Sequence, residues 1–331
     1  MLVLTRWFRR ALVSGVCVAG LLGAGVVPAL ADPGDPPDPG IEEPGPRRPR
    51  RCRGVAPTPP PAPDAPPPAE VPPVPAPVPT TPPPGAPPTG DVPPLPVGLL
   101  KNSPNNGDVV GVAQPITIVF AAPVTDKKAA EAAVKITTSK PAPGYFYWYT
   151  DQQLRWKPTQ FWPANTDVNV NAGGTKWSFK VGDAFVSTVD DATYTMTVTR
   201  NGVVERTMPI SMGKHDKKHE TKNGTYYVSE KFQKMVMDSS TYGVPVNSAE
   251  GYKLDVYWAT RLSNSGIFVH AAPWSVGAQG KSDTSHGCIN VNTDNATWFF
   301  NQSHPGDPVI VKNSPGGPYK DYDGYDDWQR F

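Results

Sequence analysis

Cysteine and histidine are scarce in this chain, whose 331 residues include 3 cysteines and 5 histidines. No two cysteines have the CxxC spacing of a structural zinc site, and no glycine-rich phosphate-binding loop is present. The net charge of +1 lacks the basic excess that nucleic-acid binding normally requires. We therefore expect no cofactor, no bound metal and no nucleic-acid partner.

Long apolar runs are confined to residues 1–31. Three arginines precede an apolar, glycine-rich run over 11–31, which ends in Ala-Leu-Ala before Asp32. This arrangement is typical of a secretory signal peptide with an A-x-A cleavage site, and the run, of about 20 residues, is also long enough for an uncleaved N-terminal membrane anchor. Both alternatives predict an exported protein of the periplasm or cell wall.

The segment 32–97 has few large apolar side chains and holds 28 of the chain's 43 prolines. Such a composition cannot form a core and predicts a disordered, semi-rigid spacer that extends about 3 Å per residue. A basic cluster over 47–53, which includes Cys52, is interpreted as a solvated linker. Binding of this cluster to anionic wall polymers or lipid head groups is the alternative.

Short β-rich runs follow one another at regular intervals through 98–182, separated by proline, glycine, asparagine and aspartate. The predicted strands cover 115–120, 133–138, 145–149, 153–157, 167–171 and 176–181. This pattern is typical of a β-sandwich. The strand at 145–149 carries five aromatic residues, which can bind sugar, but aromatic residues on strands more often pack in a core or between domains.

The segment 183–313 is predicted to be a second, mainly β domain. Strands over 193–199 and 203–210 flank Asn201-Gly202, a pair typical of a type I′ hairpin turn. Further strands are predicted at 226–228, 234–237, 253–259, 267–271 and 308–312, and a short helix at 293–303. The tail 314–331 is too aromatic for free solvent and is expected to pack on this domain.

The stretch with the richest chemistry is Ser285-His286-Gly287-Cys288-Ile289-Asn290. A thiol needs a nearby base to become a good nucleophile, and His270, separated from Ser285 by fourteen residues, can reach the same pocket. Gly287 permits a bend that turns its own N–H and that of Cys288 inward as an oxyanion hole. A buried, inert thiol beside an imidazole is the alternative interpretation.

The motif resembles the catalytic signature of the L,D-transpeptidases, the YkuD-type enzymes that cross-link bacterial peptidoglycan. The resemblance, to the mycobacterial-type branch, extends through 237–243, 250–252 and 265–274. It implies an immunoglobulin-like domain over 98–182 and a catalytic domain over 183–313 with one or two short helices. It assigns catalysis to Cys288, His270, His286 and Gly287, and substrate binding to Met237, Tyr242, Tyr252, Ser265, Gly266, Trp274, Ser285 and Asn290.

One position departs from that pattern. The branch usually has serine directly after the base histidine, and this chain has Ala271. If that residue orients the imidazole through its main-chain carbonyl, alanine serves equally well. We favour this interpretation because a main-chain acceptor fixes the histidine tautomer without a side chain. If instead the serine hydroxyl takes part in catalysis, activity is reduced.

The resemblance implies a reaction on peptidoglycan tetrapeptide stems, as donor and as acceptor. Cys288 would attack the carbonyl of the third residue, D-Ala would leave, and the thioester would pass to the amine of a second stem as a 3→3 cross-link. Tyr252 would belong to a lid over the donor, and carbapenem-type β-lactams would acylate the thiol. Alternatives are a carboxypeptidase or D-amino-acid exchange enzyme, a cysteine endopeptidase, and a non-catalytic wall-binding protein.

Two further expectations concern residues outside the motif. His215 and His219 lie at i and i+4 in a lysine-rich loop, which we interpret as solvated because it has no helical pattern and no third ligand. Cys52 and Cys288 are the two cysteines that follow the export segment. Both are expected to be free thiols, because a bridge between them would block the nucleophile.

Overall fold

The computed structural model describes residues 92–320 and 322–330, and for Tyr242 the backbone alone. The predicted signal or anchor segment, most of the spacer, and Cys52 lie outside the described residues. Within the described ranges, no helix is long and apolar enough to cross a membrane.

Two four-stranded sheets form the first domain. Its strands are β1 Leu99–Ser103, β2 Val109–Val110, β3 Ile116–Phe120, β4 Val134–Thr138, β5 Gly144–Thr150, β6 Gln153–Pro158, β7 Asp167–Ala172 and β8 Thr175–Val181, with helix α1 Lys127–Ala132 between β3 and β4. The sheet orders are β1-β3-β6-β5 and β2-β8-β7-β4. Both sheets contribute to one apolar core that includes Phe120, Trp162 and Phe179, so this domain is the predicted β-sandwich.

Period-two alternation accounts for these strands. In β3 the side chains of Ile116, Ile118 and Phe120 are buried, and those between them are half-buried. The six predicted strands are confirmed to within about one residue at each end, whereas β1, β2 and α1 were missed. Helix α1 has only six residues, too few for a helical period, and is capped by the Asp126 side chain.

The second domain contains a five-stranded and a four-stranded sheet. Its elements are β9 Phe185–Asp190, β10 Thr195–Arg200, β11 Val203–Pro209, β12 Gly224–Tyr227, β13 Glu230–Asp238, β14 Lys253–Arg261, β15 Phe268–Ala271, β16 Ile289–Val291, helix α2 Thr293–Gln302 and β17 Pro308–Lys312. The sheet orders are β11-β10-β9-β17-β12 and β13-β14-β15-β16. The mainly β fold class is confirmed.

Two local predictions in this domain are confirmed. Asn201 and Gly202 have φ angles of 50° and 84°, the left-handed pair that a type I′ turn requires. Helix α2 begins after Asn292, whose side chain accepts the Asn295 N–H at 2.8 Å. Strand β9 was missed, although it lies in the middle of the five-stranded sheet.

The tail contacts both domains, where the sequence suggested only the second. Tyr319 stacks on Tyr226 with ring centroids 4.4 Å apart. The buried carboxylate of Asp327 accepts hydrogen bonds at 2.7 Å from the Tyr227 hydroxyl and from the Arg155 guanidinium, which belongs to β6. The tail therefore joins the β-sandwich to the second domain through a buried ion pair.

The aromatic strand β5 contributes to the same junction. Tyr147 is buried and donates its hydroxyl to Asp327, and Trp148 stacks on Phe120 with ring centroids 5.7 Å apart. Packing in the core and between domains, rather than an exposed platform for sugar, is therefore confirmed as the role of these two rings.

Candidate active site

The ends of β15 and β16 position the candidate catalytic groups. These strands are parallel neighbours, with His270 opposite Asn290, and Cys288 immediately precedes β16. A cavity of about 200 Å³ opens at this edge of the sheet. Its walls are formed by Met237, Tyr252, Leu254, Val256, His270, Trp274, Thr284, Ser285, His286, Cys288 and Asn290. Eight of the twelve predicted site residues therefore line one cavity.

Three lining residues were not predicted: Leu254, Val256 and Thr284. Leu254 and Val256 follow Tyr252 at intervals of two, the spacing that places side chains on one face of a strand. That alternation in the sequence could have identified Leu254 and Val256 as lining residues. Thr284 directly precedes the motif, and its hydroxyl lies 2.9 Å from the Ser211 hydroxyl, a contact that sequence spacing does not reveal.

His270 is held as a neutral imidazole. The side chain is buried, and Nδ1 lies 2.9 Å from the main-chain oxygen of Ala271. Because a carbonyl oxygen can only accept, Nδ1 carries the proton and Nε2 keeps its lone pair. Burial also holds the pKa of His270 below its usual range. The expectation that residue 271 orients the imidazole through its carbonyl is confirmed.

Cys288 is a free, half-buried thiol. It donates to the main-chain oxygen of Gly266, with Sγ and O 3.4 Å apart. Burial raises the pKa of the Cys288 thiol to about 11, and a hydrogen bond from the Phe268 main chain opposes this shift only in part. The thiol is therefore protonated at neutral pH, so its attack on a carbonyl needs a base.

The bend before Cys288 differs from the expected oxyanion hole. Gly287 forms the predicted bend with a left-handed φ of 122°, but its N–H donates to Ser285 Oγ at 3.0 Å. Ser285 Oγ donates in turn to the main-chain oxygen of Cys288 at 2.7 Å. The expectation that the Gly287 N–H faces the substrate is wrong for this conformation, because this N–H already donates to the Ser285 hydroxyl. The Cys288 N–H remains the candidate.

His286 lies at the rim of the cavity in a charged cluster. Its Nε2 is 3.0 Å from Glu250 Oε2, the same oxygen that accepts from Lys214 Nζ at 2.9 Å. These hydrogen bonds, that of Lys214 first, lower the pKa of Glu250 to about 2. The imidazole lies between the rings of Tyr252 and His219, at centroid distances of 5.2 and 4.5 Å. Burial holds the pKa of His286 below its usual range.

Asn290 lies deep in the cavity with one polar atom unsatisfied. Its side chain is buried, and Nδ2 donates to Ser275 Oγ at 3.3 Å. Gln279 Nε2 donates to the same hydroxyl at 3.2 Å. Among the residues that the structure describes, Oδ1 of Asn290 has no hydrogen-bond partner. A buried acceptor of this kind is suited to an N–H of a bound molecule.

Ser265 and Gly266 lie beside the cavity rather than in its wall. The tail fixes their loop, because the Ser265 N–H donates to Asp323 Oδ2 at 2.7 Å and Asn264 Nδ2 to the Asp323 main chain at 2.8 Å. This loop presents the Gly266 carbonyl to the thiol.

Trp274 is exposed, with its ring 6.1 Å from that of His270. The Tyr242 side chain lies outside the described part of the chain.

The histidines of the lysine-rich loop are not simply solvated, as the sequence suggested. His219 is buried and bonds through Nδ1 to Asp216 at 2.5 Å. His215 Nε2 lies 2.9 Å from Asp191 and 3.0 Å from Asp283. Folding brings Asp191 and Asp283 to His215, whereas the partner of His219 is Asp216, three residues before it, so the two imidazoles lie in separate clusters.

Together, fold and site define a two-domain, mainly β protein with a cysteine and a histidine in one cavity. Residues 184–311 match the YkuD family, the L,D-transpeptidase catalytic domain, and 96–175 match a bacterial Ig domain. L,D-transpeptidase 2 of Mycobacterium tuberculosis is 47% identical over 239 residues, 68% of this chain and 58% of that protein. L,D-transpeptidase 1 of the same species is 44% identical, over 63% of this chain and 82% of that protein.

A solved structure agrees with these matches. An L,D-transpeptidase in complex with imipenem superposes with a TM-score of 0.62 at 42% identity, over 65% of this chain and 99% of that one. The chain therefore belongs to the L,D-transpeptidase family, with an Ig-like domain before the catalytic domain. It spans less than two thirds of the length of L,D-transpeptidase 2.

Proposed function

We propose that this chain forms 3→3 cross-links between peptidoglycan tetrapeptide stems through a thioester on Cys288. The observation that carries the proposal is the pairing of Cys288 with His270 in one cavity, with His270 held in the tautomer that leaves Nε2 as the base. A protonated thiol and a neutral imidazole are the reactants that general-base catalysis requires.

Acylation begins when the thiol turns from the Gly266 carbonyl towards His270. Nε2 takes the thiol proton while Sγ bonds to the carbonyl carbon of the third residue of the donor stem. The Cys288 N–H stabilises the oxyanion. The peptide bond to terminal D-Ala then breaks, and the imidazolium returns the proton to the departing amine, leaving a thioester.

Cross-linking reverses the proton transfers. The side-chain amine of a second stem attacks the thioester carbonyl, and its proton passes to Nε2 of His270. Cys288 leaves as the thiol after it regains that proton, and a new amide bond joins the two stems. Tyr252 and Trp274 line the same cavity as the thiol and would restrict the approach of water, which would otherwise hydrolyse the thioester.

The cavity offers complementary contacts to a peptide donor. Met237, Leu254 and Val256 provide an apolar wall, and the unsatisfied Oδ1 of Asn290 can accept an N–H from the donor. His286 and Glu250 place polar and charged groups at the rim, where the ends of a stem meet solvent. These contacts favour a peptide with one anchored residue over a flat polymer surface.

The same thiol is proposed to react covalently with carbapenem-type β-lactams. A relative of known structure was solved in complex with imipenem. The strained lactam carbonyl would take the place of the donor carbonyl, and ring opening would leave the inhibitor attached to Cys288. We further propose that the chain acts outside the plasma membrane, because its N-terminal segment has the pattern of an export signal or anchor.

Mass spectrometry of the purified protein incubated with disaccharide-tetrapeptide muropeptides tests this function. A dimer that has lost one D-Ala is the expected product, and the Cys288→Ala variant should form none while keeping its circular dichroism spectrum. A tripeptide alone would indicate a carboxypeptidase, and incorporation of an added D-amino acid would indicate exchange. Unchanged substrate with a folded, unmodified protein would contradict an enzymatic role.

A further inference from the structure

A second cluster of reactive side chains lies outside the catalytic cavity. Asp191 directly follows β9, His215 lies on the lysine-rich loop, and Asp283 lies five residues before Cys288. Nε2 of His215 is 2.9 Å from Asp191 Oδ2 and 3.0 Å from Asp283 Oδ2. Both carboxylate side chains are 2% exposed, whereas the imidazole is 46% exposed and opens the cluster to solvent.

This cluster has fewer hydrogen-bond donors than buried carboxylate oxygens that need one. The single N–H that Nε2 can carry bonds to Asp191 Oδ2, so Asp283 Oδ2 lies 3.0 Å from Nε2 without receiving a hydrogen bond from it. Within the described ranges, Asp191 Oδ1 and Asp283 Oδ2 are buried atoms without a hydrogen-bond partner. Such groups are costly to bury and are normally paired or bound to an ion.

The neighbouring lysine does not supply the positive charge that would compensate the two buried carboxylates. Lys214, the next residue to His215, does not neutralise the cluster, because its ammonium group lies 2.9 Å from Glu250 and 3.9 Å from Asp216. A divalent cation would balance two ionised carboxylates.

The geometry suits a transition metal. One ligand atom from each residue lies within 4.8 Å of the others. Zinc bonds to histidine nitrogen and carboxylate oxygen are about 2.0–2.2 Å long, so the ligand atoms of a tetrahedral site lie about 3.3–3.6 Å apart. The separations of 2.9 and 3.0 Å are a few tenths of an ångström shorter, so the three side chains need to move apart only slightly to admit an ion. An imidazole among the ligands favours zinc-like ions over magnesium or calcium.

We infer that Asp191, His215 and Asp283 form a binding site for a divalent transition-metal ion of the Zn²⁺ type, separate from the catalytic cavity. The three ligands come from three chain segments that meet at the base of the catalytic loop. Asp283 Oδ1 also accepts the Met212 N–H at 2.5 Å. A bound ion would therefore tie the loop that carries Ser285 and Cys288 to the end of β9.

A neighbouring cluster is less suited to a cation. His219, Glu250 and His286 also place one ligand atom each within 4.8 Å of the others. The Glu250 oxygen in that cluster is already paired with Lys214 Nζ at 2.9 Å, and a second positive charge there would be repelled. His219→Ala therefore serves to distinguish the two clusters.

Isothermal titration calorimetry of the full chain with ZnSO₄, after treatment with EDTA and dialysis, tests the site. One ion should bind at pH 7.5, and more weakly at pH 5, because the ligands must be deprotonated. His215→Ala and the isosteric Asp283→Asn should each weaken binding at least about tenfold. His304→Ala, an exposed histidine beside a single aspartate, should leave the affinity unchanged.

Two further measurements distinguish binding at this site from binding to cysteine or elsewhere on the chain. Cobalt(II) should give visible absorption bands without a thiolate charge-transfer band, which would indicate cysteine ligation instead. Zinc should raise the melting temperature of the parent protein and not that of folded Asp283→Asn. Absence of binding, equal affinity in the ligand variants, a thiolate band, or loss of binding in His219→Ala but not in His215→Ala would each overturn the proposal.

Discussion

Nδ1 of His270 donates to the main-chain oxygen of Ala271, the residue that follows it, across 2.9 Å. The acceptor belongs to the backbone, so any residue at position 271 provides it. Both residues are buried in β15, where the strand ladder fixes the carbonyl. The chain thus fixes the tautomer of His270 without the serine that the mycobacterial-type pattern carries at this position.

Restoring that serine should therefore change little. We expect Ala271→Ser to alter the acylation rate of Cys288 by imipenem less than about tenfold, equivalent to about 1.4 kcal/mol of barrier. Stopped-flow fluorescence of both proteins, with intact mass as a check on stoichiometry, measures the rate. A gain of about a hundredfold or more would show that a hydroxyl takes part in the triad and that the natural chain is impaired.

The raised pKa of Cys288 predicts slow alkylation. A shift from 9.0 to about 11 leaves about a hundredfold less thiolate at pH 7. The greater nucleophilicity of a more basic thiolate recovers part of this loss. We expect iodoacetamide to modify Cys288 about ten- to a hundredfold more slowly than Cys52 at pH 7, with a rate that rises up to about pH 11.

Peptide mapping by mass spectrometry separates these cysteines in one sample, so Cys52 serves as the internal control. A Cys288 rate that reaches its plateau near pH 7 would contradict the protonated thiol and indicate a preformed thiolate–imidazolium pair. Acylation by imipenem should not share the slow alkylation, because His270 removes the proton as the bond forms.

Local patterns predicted much of the fold, and the exceptions share a cause. Strand β17 and helix α2 follow directly from apolar runs and an asparagine cap. Strand β9, Phe-Val-Ser-Thr-Val-Asp, was missed although four of its six residues are of types that favour strands, because the buried Ser187 interrupts the apolar alternation and pairing with β10 and β17 on either side completes the strand. The missed β2 has only two residues, which pair with residues 71 positions further along the chain.

The site likewise has features that the sequence predicted and features that depend on contacts made only in the folded chain. The motif sequence predicted the thiol, the imidazole and the bend at Gly287, because these depend on adjacent residues. It did not predict that the Gly287 N–H donates to Ser285 Oγ, since the direction of the serine hydroxyl depends on how the loop folds. Nor did it predict the partners of His215, because Asp191 and Asp283 lie 24 and 68 residues from it in the chain.

The ion pair between Arg155 and Asp327 should govern stability. Both side chains are buried, and Asp327 also accepts from two tyrosine hydroxyls. Asp327→Asn keeps the shape but leaves the guanidinium without a counter-charge. We expect the free energy of unfolding in urea to fall by about 3–5 kcal/mol. The control is Asp151→Asn, which removes an exposed pair with Lys127 and should cost at most about 1 kcal/mol.

Equal stability of the two variants would contradict the view that the tail locks the domains together. Separate unfolding transitions in Asp327→Asn, where the parent protein shows one, would support it, because the residue touches both domains. Circular dichroism and tyrosine fluorescence followed in the same titration distinguish these outcomes.

Ser285 is predicted to set the geometry of the catalytic loop. Its hydroxyl accepts the Gly287 N–H at 3.0 Å and donates to the Cys288 carbonyl at 2.7 Å, which holds Gly287 at its left-handed φ of 122°. Ser285→Ala leaves a buried N–H without a partner, at a cost of about 1–3 kcal/mol. The loop can then relax, and the thiol is less well placed to turn towards His270.

We expect the acylation rate of Ser285→Ala by imipenem to fall by about ten- to a hundredfold, equivalent to roughly 1.4–2.7 kcal/mol of barrier. The melting temperature should fall by no more than about 2–10 °C, which is what a loss of about 1–3 kcal/mol produces in a chain of this size. Ser282→Ala, an exposed serine on the same segment, should react at the parent rate. If Ser285→Ala also reacts at that rate, its hydroxyl is a local structural contact and the loop keeps its bend without it. A loss of rate together with a large fall in melting temperature would instead mean that Ser285 acts through folding, so the two measurements must be made on the same preparation.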